Sequence, residues 1–151
     1  MPILATYKFN GANVAVKVQL LPADCTMISR FSGKVTIEDF WQAYTEAYAV
    51  IAGWNSLLEI ADFASISELS LTPRDLRDIA RDSADWLGKH NLNARKVLIA
   101  PDDLSFGMAR VYCAQASFSA RETVNAVRSR AEAAAWLEMD LTRFEGWLDF
   151  T

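Results

Sequence analysis

Hydrophobic and polar positions change period several times along this chain, and each change marks an element. Ile3, Ala5, Tyr7 and Phe9 alternate with other residues, and so do Val14, Val16, Val18 and Leu20. A period of two predicts a pair of half-buried strands, and Asn10-Gly11 between them is the strongest short hairpin signal. Leu21-Pro22-Ala23-Asp24 breaks the pattern, Thr26 to Phe31 resumes it as a third strand, and Gly33 is expected to end that strand. From Thr36 the period becomes helical. Thr36-Ile37-Glu38-Asp39 reads as an N-cap with an acidic first turn. Ile37, Phe40, Trp41, Tyr44, Ala47, Tyr48 and Ile51 then fall on one face, before Gly53.

Ser56 to Asp62 is an apolar run interrupted by Glu59, and it predicts a buried strand. Phe63 to Leu71 reads as a polar loop, and Thr72-Pro73 as the start of a helix, with Leu76, Ile79, Ala80 and Leu87 on its buried side. The opposite side, Arg74, Asp75, Arg77, Asp78, Arg81 and Asp82, mixes charges of both signs, as a solvated face does. Lys96 to Ala100 predicts another buried strand. Pro101-Asp102-Asp103 turns it into a helix with Leu104, Met108, Val111 and Tyr112 on one face. Thr123 to Val127 is a short strand candidate. Ser129-Arg130-Ala131-Glu132 fits a capping box and opens a last helix through Ala133, Trp136 and Leu137. Buried strands turning directly into helices argue for a layered α/β domain.

Composition narrows the picture. With 151 residues, 52% of them hydrophobic, and a formal net charge of −4, one folded domain is expected and disorder is not. An acidic balance argues against nucleic acid as a partner. No apolar run approaches the ~20 residues of a membrane-spanning helix. Met1-Pro2-Ile3-Leu4 lacks the pattern of a signal peptide, so a cytoplasmic protein is expected. Cys25 and Cys113 have no C-x-x-C spacing and are expected to be free thiols. His90 follows Gly88-Lys89 at a helix end, where a solvated cation offsets the helix dipole. The apolar residues of the tail, Leu141, Phe144, Trp147, Leu148 and Phe150, suggest that it docks on its own domain or on a second subunit.

Several stretches resemble the SpoIIAA-like (STAS-like) superfamily of small bacterial proteins. They are Phe31-Ser32-Gly33-Lys34-Val35-Thr36, Asp62, Leu71-Thr72-Pro73-Arg74-Asp75-Leu76, Ile99 to Arg110, and Val127-Arg128-Ser129 leading into Glu132 to Leu137. The resemblance runs from about Ile28 to Leu137. It implies a single α/β domain over 1–151, with a four- or five-stranded mixed sheet and helices packed against it. Residues 1–27 add an N-terminal β-hairpin and 138–151 an aromatic tail. STAS proteins act as anti-sigma-factor antagonists, switched by a phosphorylated Ser in an Asp-Ser-Ser-Gly-like context at a helix start. Here the matching segment, Asp62 to Ser70, carries Ser65, Ser67 and Ser70 but no Ser-Gly helix start. Related folds such as the CRAL-TRIO group hold lipids in an apolar pocket.

Asp62, Asp102 and Asp103 are expected at the carboxyl ends of neighbouring strands, where α/β sheets keep their sites. Such carboxylates suit Mg²⁺ or acid–base work. Capping of the following helix accounts for Asp102 and Asp103 more economically. Hydrolase, zinc and phosphate-loop motifs are absent, and Cys113 reads as a small core residue. No cofactor, metal or catalytic residue is therefore assigned. The leading expectation is a non-enzymatic regulatory or interaction module, homodimeric or bound to a protein partner. Its working edge would be formed by Asp62, Ser65, Ser67, Ser70, Asp102, Asp103 and Ser105. A small-molecule or lipid carrier using Trp41, Tyr44 and Tyr48 is the alternative, and an enzyme using the strand-end carboxylates comes third. Glu59 is the oddest placement: it lies at a watery sheet edge, or, if buried, its pKa rises and it becomes a functional candidate.

Overall fold

In the computed structural model, which describes residues 5–7 and 15–144, every strand joins one mixed sheet. β1 (Ala5–Tyr7), β2 (Val16–Leu21), β3 (Thr26–Thr36), β4 (Leu57–Ser70), β5 (Ala94–Ile99) and β6 (Glu122–Val127) lie side by side in chain order. β1, β2 and β3 pair antiparallel, whereas β3 through β6 pair parallel. The hairpin therefore extends the four parallel strands. The Asn10-Gly11 turn and the tail beyond Phe144 lie outside the described residues.

The parallel strands are joined by α1 (Ile37–Ile51), α2 (Pro73–Lys89) and α3 (Asp103–Ala116). Crossovers of uniform hand, stepping always in the same direction, place all three on one face. α4 (Arg130–Leu137) and the 3-10 turn Leu141–Phe144 cover the other. Alternate residues of each central strand then serve two cores. Leu57 and Ala61 of β4, with Ala94 and Leu98 of β5, pack under the three helices. Ile60, Val97 and Ile99 pack under α4, Leu141 and Phe144. That double burial is why β4 and β5 read as nearly continuous apolar runs.

The helix starts follow the expected capping chemistry. Thr36 and Asp39 exchange hydrogen bonds at the head of α1, as Thr72 and Asp75 do at α2. Ser129 caps α4 through the Glu132 amide, but the Glu132 carboxylate accepts from the Arg128 amide, so only half of the expected box forms. Leu104 departs from its expected place on the packed face of α3 and is exposed.

Two strands outrun their predicted ends. β3 passes straight through Gly33, whose φ of 65° is in the left-handed region. The expected loop from Phe63 onward is strand, paired from Ser32↔Ser65 to Thr36↔Ser70. The register shifts between Arg30 and Ser32 and again between Gly33 and Lys34, with one more residue on β4 each time. These bulges break the period of two, so a serine-rich strand looks like a loop.

Candidate functional site

The same alternation that builds the helix-covered core sets Glu59 and Lys96 side by side, because they are register partners on β4 and β5. Both are buried, at 3% and 2% exposure, and Glu122 of β6 is buried beside them. Lys96 Nζ forms an ion pair with Glu122 Oε1 and donates to Ser83 Oγ of α2 at 2.8 Å and to Tyr112 Oη of α3 at 3.3 Å. Those three contacts use all the ammonium protons. Tyr44 of α1 donates to Glu59 Oε2 at 2.6 Å, so Ser29, 2.9 Å from the same hydroxyl, donates to Tyr44. A polar row thus crosses the floor of an apolar core.

Above that floor lies a cavity of about 250 Å³. α1 contributes Phe40, Trp41, Tyr44 and Tyr48, one stripe of its 3.6-residue period. α2 adds Leu76, Ile79, Ser83 and Trp86, and α3 adds Ser105, Met108, Ala109 and Tyr112. The extended arm of β4 closes one end with Phe63 and Leu69. Tyr48 stacks on Trp86 at 4.5 Å and meets Tyr44 edge-on at 5.6 Å. The Tyr48–Trp86 contact bridges α1 and α2, whose backbones barely approach one another.

Burial pushes Glu59 above the usual carboxyl range, aided by Glu122 and opposed by Lys96 and the Tyr44 hydrogen bond. Burial alone would lower Lys96, but the oxygens of Tyr112, Tyr48, Glu59 and Glu122 outweigh it, and the ammonium is held well above its ordinary value. Burial raises Tyr44, Tyr48 and Tyr112 as well, so all three stay neutral phenols. The watery-edge alternative for Glu59 is therefore set aside. It is a buried carboxyl in a cavity.

The residues expected to form a working edge divide between different environments. Asp62 is fully buried on the α4 side, midway along β4 and not at its end; Oδ1 accepts from the Ala64 amide at the first bulge, and Oδ2 lies 3.5 Å from Arg130. Ser65 accepts from Arg30 at 2.7 Å, while Ser67 and Ser70 are exposed. Asp102 caps α3 by accepting from the Ser105 amide at 2.8 Å, and that bond holds its carboxyl below the usual range. Asp103 pairs with Arg128 at 2.8 Å. Ser105 is buried and lines the cavity. Asp62 and Ser105 thus belong to opposite faces of the sheet. Among the described residues no group of three or more metal-ligating side chains forms. Cys25 and Cys113 are free, and burial pushes the Cys113 thiol up to about 11. No described helix is long and apolar enough to cross a membrane.

Glu122 and Lys96 escaped the reading of the sequence as site residues. Glu59 interrupts an apolar run, Leu57-Leu58-Glu59, but Lys96 follows the charged Arg95 at the head of its strand, Ala94-Arg95-Lys96, and reads there as a boundary charge.

Fold and site together define an α/β protein with a mixed sheet and an aromatic cavity over buried charges. No protein-family model matches the chain, and a search of curated proteins finds no match. Among solved structures, the chain is similar to an uncharacterised protein of the DUF3478 family with a SpoIIAA-like fold from Shewanella loihica. The two are 19% identical, with a TM-score of 0.48 over 91% of this chain and 95% of that one.

Proposed function

We propose that the protein binds and carries a small, largely apolar molecule in the cavity between α1, α2 and α3, without transforming it. The cavity itself carries this reading: about 250 Å³ walled mostly by aromatic and aliphatic side chains, with a few polar groups converging at its floor. Natural small-molecule sites have this make-up. A role without chemistry is supported by the state of the polar groups. The ammonium of Lys96 is fully engaged and held charged, the tyrosines are held neutral, and the Cys113 thiol is not poised to ionise. The alternative of a surface interaction module rests on residues that the fold distributes over both faces of the sheet.

Titration with an environment-sensitive apolar dye tests the proposal. One dye per chain is expected, with quenching of Trp41 or Trp86 at the cavity wall. Ala109→Phe, which fills the wall opposite α1, is expected to weaken binding by at least about tenfold. Its melting curve should remain cooperative. Absence of dye binding to the wild-type protein, or unchanged binding by a folded Ala109→Phe variant, would overturn the reading.

A further inference from the structure

We infer that the ligand of this cavity is an amine with a ring-sized apolar body, its ammonium donating to Glu59 Oε1 on the cavity floor. The inference rests on the cavity being the binding site. Its own ground is the hydrogen-bond accounting of the floor. Oε2 of Glu59 is satisfied by Tyr44, but among the described residues no protein donor reaches Oε1. Lys96 Nζ is 3.9 Å from it and has its three protons directed to Glu122, Ser83 and Tyr112. Glu122 Oε2 also lacks a donor, yet Glu122 is not part of the cavity lining. Glu59 is therefore the acceptor that a guest meets.

Charge selects among donors. The floor holds two carboxyl groups and one ammonium, so a guest cation completes the pairing that Lys96 alone leaves short. A guest acid would bring a third negative group to a site whose one cation has no proton left to offer. The walls suit the same guest: Tyr44, Tyr48, Phe40, Trp41 and Trp86 line the cavity with aromatic side chains that pack an apolar body and favour a cation near them. At the rim the charged side chain is Asp82, paired with the exposed Arg81 at 3.6 Å, so the entrance carries no net repulsion toward a cation.

Three probes of matched body separate the terms: 2-phenylethylamine, 2-phenylethanol and 3-phenylpropionate, titrated calorimetrically at neutral pH into the full chain. The amine is expected to bind at least about tenfold more tightly than the alcohol, and the acid most weakly. Glu59→Gln, which keeps the shape and removes the charge, should abolish the preference for amine over alcohol. If that variant does not fold, the wild-type series alone decides. Equal or tighter binding of the alcohol by the wild-type protein overturns the amine inference and leaves the cavity reading standing. So does an amine preference that survives in a folded Glu59→Gln variant. If none of the three binds and the apolar dye does not bind either, the cavity reading falls and takes the inference with it.

Discussion

Removing the Lys96 side chain would leave Glu59 and Glu122 buried with no counter-charge between them, and breaking one partner out of such a group costs about 3–5 kcal/mol. Lys96→Met is accordingly expected to lower the free energy of unfolding in urea by that amount. Adding Glu59→Gln and Glu122→Gln to it should recover part of the loss; no recovery would mean that the charges do not interact as their geometry implies. Glu59 supplies a pH signature. Its folded pKa is raised above the ordinary 4.5, so the fold has a stronger preference for the protonated form than the unfolded chain has. The stability tied to that preference is complete below about 4.5 and is lost as pH rises through the folded value. The wild-type protein should therefore match Glu59→Gln in stability at acid pH and fall behind it as pH rises. A gap that is constant with pH would show that Glu59 does not titrate in the fold. Half of this site was visible in the sequence. A carboxylate inside an apolar strand announces itself at Glu59, but Lys96 opened its predicted strand and passed for a boundary residue. Only the register of β4 against β5 reveals the pair.

At the level of elements, the long arm made by the ends of β3 and β4 was the least legible part of the fold and yet closes the cavity. Each strand owes its length to a local irregularity. On β4 the extra residues at the two register shifts interrupt the alternation, and the Asp62 carboxylate, by holding the Ala64 amide, steadies the first of them. On β3, Gly33 adopts φ 65° with open space around the position where a Cβ would stand. A side chain there meets no neighbour, so its cost is that of the left-handed backbone alone, roughly 1–2 kcal/mol. Gly33→Ala is expected to lower the unfolding free energy by this amount, and Gly33→Asn by less, because Asn visits that region more readily. Equal stability of all three proteins would mean that the arm relaxes away from the strand geometry. Helix starts, in contrast, were readable residue by residue. Thr36 with Asp39, and Thr72 with Asp75, satisfy amides a few positions away, so their signal needs no knowledge of the rest of the chain. The bulged arm depends on its partner strand, and so its signal is not local.

Across the whole molecule, the sheet divides the protein into two unequal halves, and the division determines how a ligand should be felt. α4 and the turn Leu141–Phe144 pack directly on one face through Ala133, Leu137, Leu141 and Phe144. On the other face α1 stands apart from α2 and α3, joined to α2 by the Tyr48–Trp86 stack over the cavity. The amphipathic stripe of α1 was plain in the sequence, but a stripe that packs on a sheet and one that also walls a cavity have the same period. A guest in the cavity adds contacts between helices that now touch little, so its stabilisation should be concentrated there. Ligand at about 100 times its dissociation constant stabilises the native state by about 2.7 kcal/mol. Hydrogen exchange should therefore slow in α1 and α2 when the best-binding probe is added, through suppression of local opening. α4 should slow only in those amides that exchange through global unfolding. Equal protection of α1 and α4 at fast-exchanging amides would place the ligand elsewhere. Protection confined to the helices around Tyr48 and Trp86 would identify the less tightly joined half of the molecule as the half that takes up its ligand.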